Sequence, residues 1–427
     1  MKVLIIRPDA MGDVILSLPM ANELKSHYPD AHIVYLASAY TRELLLNNAA
    51  VSDVIDDVYR ADRSLKTWLK LLSIIRAHHF DVVIFAYNEP EYAALAWLAK
   101  IPVRIGDRTK LVATLFLNRH VDQRYGNLWQ HEVNIHLRLL RPLGINVAES
   151  RRYGFLTNRI VQPPVIQSAM KKMTLYPPVV IHVGLANGNL PIPLSFYEAV
   201  IEGVIANGYM PVLTGSPKEA LALVPIMKRF GDALISVAGE TTMLTLIPIL
   251  SMAKAFIGTT TGPLHLAAAL GVPVVAILPS KLIKATRWGP YGVPAQIVEP
   301  RWRCPRVCNP YTCKTRECID HLNVDDVLES LERVQDSPQS LSVRDYKRSV
   351  HAQCIRVIDA TKEGAGGTWP KESLKQDAPV VILNRVRFVD KVKRLIAATQ
   401  AYYPPILVRK SDDQTVEEAL DATYPHD

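Results

Sequence analysis

Apolar residues in this chain come in short unbroken runs, each followed by a longer stretch in which apolar and polar positions recur with a helical period. That rhythm predicts buried parallel strands joined by amphipathic helices. Val3-Leu4-Ile5-Ile6-Arg7 is the first such run, and the spacing predicts a helix over 14–28 behind a loop holding Gly12 and Asp13. Runs at 32–36, 54–59, 81–87 and 103–106 predict further strands, with helices over 65–78 and 91–100 between them. The polar, proline-containing stretch 151–178 reads as a connection, after which the rhythm returns. Strands are predicted at 179–184, 210–214, 234–237, 255–258, 272–278 and 296–298, and a helix over 194–207 closed by Gly208. The pattern therefore predicts an α/β chain with two Rossmann-like, doubly wound parallel-sheet domains, 1–160 and 161–336, facing each other across a cleft. A linker around Gly364-Ala365-Gly366-Gly367 and a short β-α-β-like appendage fill 337–427, because one such unit cannot bury a core of its own.

Ligands in doubly wound folds sit beyond the carboxyl ends of the strands. The predicted topology brings Gly12-Asp13, the loop 184–189, Gly215-Ser216 and the loop 259–265 to that edge. The stretch from Ala255 to Pro279 reads as strand, polar turn, short helix and second buried strand. Thr261 or Gly262 is placed to cap the helix, with Pro263 at its first position. Such a helix start favours an anion, phosphate first among them, although an ordinary strand-to-helix turn fits the spacing too. Neither half contains G-x-G-x-x-G or G-x-x-x-x-G-K-[ST], which disfavours a nicotinamide dehydrogenase or a P-loop enzyme.

Composition narrows the classes further. At 427 residues, 49% hydrophobic and 21% charged, the chain can bury two substantial cores, which excludes disorder throughout. A net charge of +8 points to an acidic partner. With 7% aromatics and no Lys/Arg tract interleaved with them, nucleic acid gains little support as that partner. The first apolar run is too short for a signal peptide, so a cytoplasmic location is the expectation. The longest apolar stretch, 263–279, is broken by Gly271 and Pro273 and contains His265, which argues against a membrane span. Of five cysteines, Cys304, Cys308, Cys313 and Cys318 cluster without the C-x2-C pairs of a zinc site, and reduced structural thiols are expected.

Several stretches then carry a resemblance. These are residues 2–19 with Gly12-Asp13 and Ser17-Leu18-Pro19, Arg104-Ile105-Gly106, Gly215-Ser216-Pro217-Lys218-Glu219, Ala238-Gly239-Glu240-Thr241-Thr242, and the cysteine-rich segment near Cys304. The most specific is Thr260-Thr261-Gly262-Pro263-Leu264-His265-Leu266-Ala267-Ala268-Ala269-Leu270-Gly271-Val272-Pro273. In order and spacing they resemble glycosyltransferase family 9, the lipopolysaccharide heptosyltransferase family, over residues 1–335. The resemblance implies a GT-B fold and inverting transfer from a nucleotide-sugar donor, ADP-heptose first, to a cell-envelope glycolipid or glycan. No metal or other cofactor is implied.

Carried over residue by residue, the resemblance makes Asp13 the base. It assigns Gly184, Asn187, Asn189, Gly215, Glu219, Thr241, Thr260, Thr261, Gly262 and His265 to the donor, with Glu219 on the nucleotide ribose. Gly12, Arg104 and Arg108 fall to the acceptor. The last two lie in a basic stretch with Lys100, Lys110, Arg119 and Arg124 that suits an acidic glycolipid at the inner membrane face. On the residues alone, other readings stay open: Asp13 as the cap of the helix from 14, His265 as a core histidine, Glu219 as a helix-start carboxylate. The chain also departs from the family. Thr260 stands where heptosyltransferases usually carry Asp, and the loop 184–191 lacks their basic residue, for which Lys218, Lys281, Lys284 or Arg287 are possible substitutes. A different UDP- or GDP-linked donor, or a silent glycan- or nucleotide-binding scaffold, therefore stays open as well.

Overall fold

The computed structural model describes residues 1–108, 115–121, 123, 130–157, 160–184, 191–280, 284–301, 309, 312–336, 356–358, 379–383 and 407–409. Strands β1 (Lys2–Ile6), β2 (His32–Ala37), β3 (Asp53–Asp56), β4 (Val82–Phe85), β5 (Val103–Asp107) and β6 (Arg119–Val121) form one sheet in the order β3-β2-β1-β4-β5-β6. Strands β7 (Pro178–His182), β8 (Met210–Thr214), β9 (Ile235–Ser236), β10 (Ala255–Thr259), β11 (Val274–Ile277) and β12 (Ala295–Val298) form a second, in the order β12-β11-β10-β7-β8-β9. Every pairing is parallel. Counted from its own first strand, each sheet has the order 3-2-1-4-5-6, so each reverses direction beside its first strand: between β1 and β4, and between β7 and β10. A third, three-stranded parallel sheet joins β13 (Arg356–Ile358), β14 (Pro379–Leu383) and β15 (Leu407–Arg409).

The helices differ in how much of their surface is covered, and the sequence shows why. Helix α2 (Leu65–His78) buries one stripe, Leu71, Leu72 and Ile75, on the outer face of the first sheet beside α3 (Pro90–Leu98). Ser64 caps it through Thr67 N–H, and His79 ends it in the left-handed region at φ 51°. Helix α1 (Met11–His27) has no single apolar stripe and is buried on nearly all sides, with Val14, Ile15, Leu16, Leu18, Met20, Ala21 and Leu24 inside. A helix of that kind belongs inside a molecule, and α1 lies between the first sheet and the second half. One core runs through the inner faces of both sheets, from Val3, Ile5 and Ile33 to Val180, Phe256 and Val274, with α1, α8 (Met243–Ser251) and α9 (Gly262–Ala269) inside it.

Several elements differ from the pattern-based expectation. Helix α1 starts at Met11, three residues before 14. Strand β3 stops at Asp56 because Asp57 Oδ1 accepts the N–H groups of Tyr59 and Arg60, at 3.0 and 3.2 Å, and turns the chain into a helical turn at Tyr59–Asp62. The stretch expected to be a plain connection contains α5 (Pro164–Met173), which buries Ile166, Ala169 and Met173, and the helix expected over 194–207 is α6 (Leu194–Ala206). Helix α4 (Glu132–Arg138) carries no amphipathic signal at all. Glu132, Asn134 and His136 are buried along with Val133, Ile135 and Leu137, because Glu132 and Asn134 meet the second half while His136 meets α1 at Leu16.

That meeting is a polar seam. His131 Nε2 lies 2.9 Å from Gly289 O, Tyr291 Oη donates to Asn134 Oδ1 at 2.7 Å, and Arg287 Nε donates to Glu132 Oε2 at 2.8 Å. All three bonds join α4 and its cap to the segment 285–291 of the second half. Tyr291→Phe leaves the buried Asn134 oxygen without this donor and is expected to cost about 1–3 kcal/mol. The expected reading is a lower urea midpoint at unchanged slope; an unchanged midpoint removes this bond from the set that stabilises the seam.

Candidate active site

The two reversal points face one cavity of about 920 Å³. Four helix starts form its wall: Met11, Gly12 and Asp13 of α1; Ser216, Pro217 and Glu219 at α7 (Pro217–Phe230); Thr241, Thr242 and Met243 at α8; Thr260, Thr261 and Gly262 at α9. Each start carries the positive end of a helix dipole. Two of them are closed by their own side chains. Ser216 and Glu219 make a capping box on α7, and Thr242 and Thr245 make one on α8. The other two are not: Ala10 and Thr261 at the N-caps of α1 and α9 make no side-chain cap bond, and the Thr261 hydroxyl turns back to Thr259 O at 3.3 Å. Pro263 is the second helical residue, not the first.

These uncapped starts lie against each other because glycine stands on both. A Cβ at Gly12 would come within 2.8 Å of His265 Cδ2, and one at Gly262 would collide with the Met11 side chain. His265 thereby sits buried in the wall, and among the described residues its Nδ1 has no hydrogen-bond partner. Burial holds its pKa down to about 4. Across the cavity, His182 Nδ1 is 2.9 Å from Thr214 Oγ1 and its ring fills the space a side chain on Gly184 would need. Burial holds it, too, at about 4.

Asp13 is the third residue of α1 and not its cap. Its Oδ1 accepts from Arg7 Nη2 at 2.7 Å, its side chain is 21% exposed to the cavity, and its second oxygen bonds no described residue. Arg7, at the carboxyl end of β1, is buried among Asp9 at 3.0 Å, Glu132 at 3.5 Å and the carbonyl of Ala86. Burial pushes the Asp9 carboxyl up to about 6 against the pull of Arg7. For Glu132, burial works against the charge, but His136, Arg287 and Arg7 overcome it and hold the carboxyl at about 2. His136, with Nδ1 3.0 Å from Leu16 O, is held at about 4 by burial and by Arg7. His131 is held at about 3, mainly by burial.

Of the residues singled out from sequence, Gly12, Asp13, Gly184, Gly215, Glu219, Thr241, Thr260, Thr261, Gly262 and His265 all line this cavity. Glu219 does so while also serving the capping box, its Oε2 accepting Ser216 N–H at 2.7 Å. Arg104 and Arg108 lie elsewhere. The Arg104 guanidinium donates to Phe116 O at 2.6 Å and Ile101 O at 2.5 Å, and Arg108 is exposed beyond β5. Asn187, Asn189, Lys110, Arg124, Lys281, Cys304 and Cys308 fall outside the described residues. Among the described residues no lysine or arginine lines the cavity: Lys218 and Lys284 are not in its wall and Arg287 is paired with Glu132. Arg7, Glu132, His136 and His182 were missed from sequence. Arg7 was legible as a cation ending a buried strand two residues before Asp9; Glu132 was not, since Arg287 is 155 residues away.

Two doubly wound sheets whose reversal points share one ligand cavity define the GT-B class of glycosyltransferase fold. The family model of glycosyltransferase family 9 (heptosyltransferase) matches residues 68–315, more than half of the chain, and the chain belongs to that family. It is a glycosyltransferase. A lipopolysaccharide heptosyltransferase 3 of Escherichia coli is 25% identical over 292 residues, covering 62% of this chain and 80% of that protein. A family 9 glycosyltransferase from Veillonella parvula superposes with a TM-score of 0.63 at 17% identity, over 78% of this chain and 97% of that one. The E. coli heptosyltransferase WaaC, solved with ADP-2-deoxy-2-fluoro heptose, gives a TM-score of 0.60 at 20% identity, over 78% and 99%. No helix among the described residues is long and apolar enough to cross a membrane.

The buried imidazoles predict how stability depends on pH. His131, His136, His182 and His265 have folded pKa values of about 3, 4, 4 and 4, below the unfolded value near ~6.5. As pH falls below ~6.5 the unfolded chain takes up protons that the fold refuses, so stability is lost, each imidazole contributing up to ~1.4 kcal/mol per pH unit. Asp9, raised to about 6, is protonated in the fold first and offsets one imidazole between about pH 6 and 4. The urea midpoint is expected to be level above pH 7 and to fall steeply toward pH 4, with a shallower fall in His131→Gln. A level midpoint down to pH 4.5 contradicts the neutral assignment.

Proposed function

We propose that this glycosyltransferase moves a heptose-type sugar from a nucleotide diphosphate donor, ADP-heptose, to an acidic glycolipid of the cell envelope such as the lipopolysaccharide core, with inversion at the anomeric carbon. The observation that carries the reading is Asp13 and the uncapped start of α9 facing one cavity. In this reading the diphosphate lies on the Gly262 turn, beside Thr260, Thr261 and His265, whose Nδ1 has no partner among the described residues. The acceptor hydroxyl attacks the anomeric carbon from the side of α1. Its proton passes to Asp13 as the new C–O bond forms, the bond to the diphosphate breaks, and the nucleoside diphosphate leaves with the charge.

Arg7 holds one Asp13 oxygen and leaves the other for that proton. A helix start stabilises an anion by about 0.3–2 kcal/mol. Opposed starts at α1 and α9 thus supply part of what a basic side chain supplies elsewhere, and the reading requires no metal ion. Glu219 and Tyr40, both in the wall, are placed for the nucleoside, with Glu219 on the ribose. The heptose and ADP assignments rest on the family and on its E. coli member solved with an ADP-linked fluoroheptose. Action at the cytoplasmic face of the membrane, on an acceptor carried by it, belongs to the same reading.

Two measurements test it. Asp13→Asn is expected to lower transfer by about 10²–10⁴-fold while leaving donor binding intact; full activity in that variant refutes the base. In a thermal-shift panel with ADP, UDP, GDP, CMP and ADP-heptose, ligand at a hundred times its dissociation constant adds ~2.7 kcal/mol, enough for a shift of several degrees. A shift with ADP and ADP-heptose alone is expected. A selective shift with UDP or GDP names another donor, and none with any nucleotide favours a silent scaffold.

A further inference from the structure

Glu132 has both oxygens engaged, and they point in different directions. Oε1 is 3.5 Å from Arg7 Nη2 and 3.6 Å from His136 Nε2, while Oε2 accepts from Arg287 Nε at 2.8 Å. The same Arg7 Nη2 donates to Asp13 Oδ1 at 2.7 Å. A continuous polar chain therefore runs from Asp13 through Arg7 and Glu132 to Arg287, and its last link comes from the second half of the molecule. Arg287 lies on the helical turn Ala285–Trp288, whose Trp288 is itself part of the cavity wall.

We propose that Glu132 is a positioning residue for the base: it takes a share of the Arg7 charge that otherwise falls on Asp13, and its bond to Arg287 sets that share only when the two halves are joined. The proposal rests on Asp13 being the base. Arg7 has a fixed amount of positive charge and three carboxylates around it. With Glu132 in place, Asp13 is oriented by a hydrogen bond but feels a cation already partly neutralised. Without Glu132, Arg7 is left to Asp9 and Asp13, and Asp13 becomes a weaker base. Without Arg287, Glu132 draws more on Arg7, and Asp13 becomes a stronger base that is held less firmly.

The remaining titratable and charged groups at this point do not substitute for Glu132. Asp9 faces the Nε edge of Arg7 and also feels Arg60. His136 gives its Nδ1 to Leu16 O, and His131 gives its Nε2 to Gly289 O. His265 lies across Gly12 on α9. Among the described residues, only Glu132 contacts both Arg7 and a cation of the other half.

The titration needs no acceptor. The protein is labelled with 13C-aspartate, the Asp13 carboxyl signal is assigned by its loss in Asp13→Asn, and its titration is followed in the full chain. Glu132→Gln is expected to lower the Asp13 midpoint by about 0.5–1 pH unit, and Arg287→Met to raise it. In the Glu132→Gln background, Arg287→Met is expected to move the midpoint by less than half its effect alone, because the chain between them is already cut. Midpoints that stay in place, or effects that simply add, overturn the proposal, whatever happens to the melting temperature. Should Glu132→Gln fail to fold, Arg287→Met, one-third exposed, decides alone: an unmoved midpoint overturns the role. Transfer at the wild-type rate from ADP-heptose in Asp13→Asn sinks the base and this proposal together. Loss of transfer there with unmoved midpoints sinks the role of Glu132 and leaves the base standing.

Discussion

A guanidinium buried at the carboxyl end of a central strand has to be neutralised where it stands, and the arrangement around Arg7 follows from that. Removing one partner of a buried charge costs about 3–5 kcal/mol, so its neighbours are constrained in position and not merely attracted. Asp9 and Asp13 fix the path of the loop and the first turn of α1, and the carbonyl of Ala86 fixes the end of β4. Glu132 brings in α4, and through Arg287 the second half. A single charge at one reversal point thus ties the first sheet to the element that carries the seam.

The second constraint is distance. Helices α1 and α9 meet with their first turns in contact, which is possible only because Gly12 and Gly262 have no side chain. The contact puts two uncapped helix starts side by side, one bearing a carboxylate at its third position and the other bearing none. One cavity therefore brings a carboxylate and an uncapped helix start close together, the two features on which the proposed transfer from a diphosphate leaving group rests. Capping boxes on α7 and α8 show the contrast, since their first turns are satisfied internally and shape the wall without competing for the charge.

Much of this was legible in the residues. The strand runs, the doubled Rossmann rhythm, the stretch Thr260-Thr261-Gly262-Pro263-Leu264-His265 and the pair Gly12-Asp13 are local signals, and ten of the residues nominated from them and from the family resemblance line one cavity. Arg104 was given to the acceptor because it lies in a basic stretch, and charge does not say where a long side chain goes; its guanidinium binds the carbonyls of Phe116 and Ile101. Helix α4 gave no signal because it is buried nearly all round with polar and apolar residues alternating, Glu132, Asn134 and His136 among Val133, Ile135 and Leu137, and a helical period appears only where one side is apolar and the other polar.

The sequence by itself determined the two sheets, the helix starts that end at their carboxyl edges, and the acidic and hydroxyl residues carried there, because each depends on neighbours within a few positions along the chain. Tertiary structure alone decided which groups share the charge of Arg7, why His265 Nδ1 meets no partner among the described residues, and that a carboxylate on α4 connects Arg7 and Asp13 to an arginine of the other half. Those outcomes depend on electrostatic and steric contacts between positions far apart in the chain, and such contacts leave no periodic trace in the order of the residues.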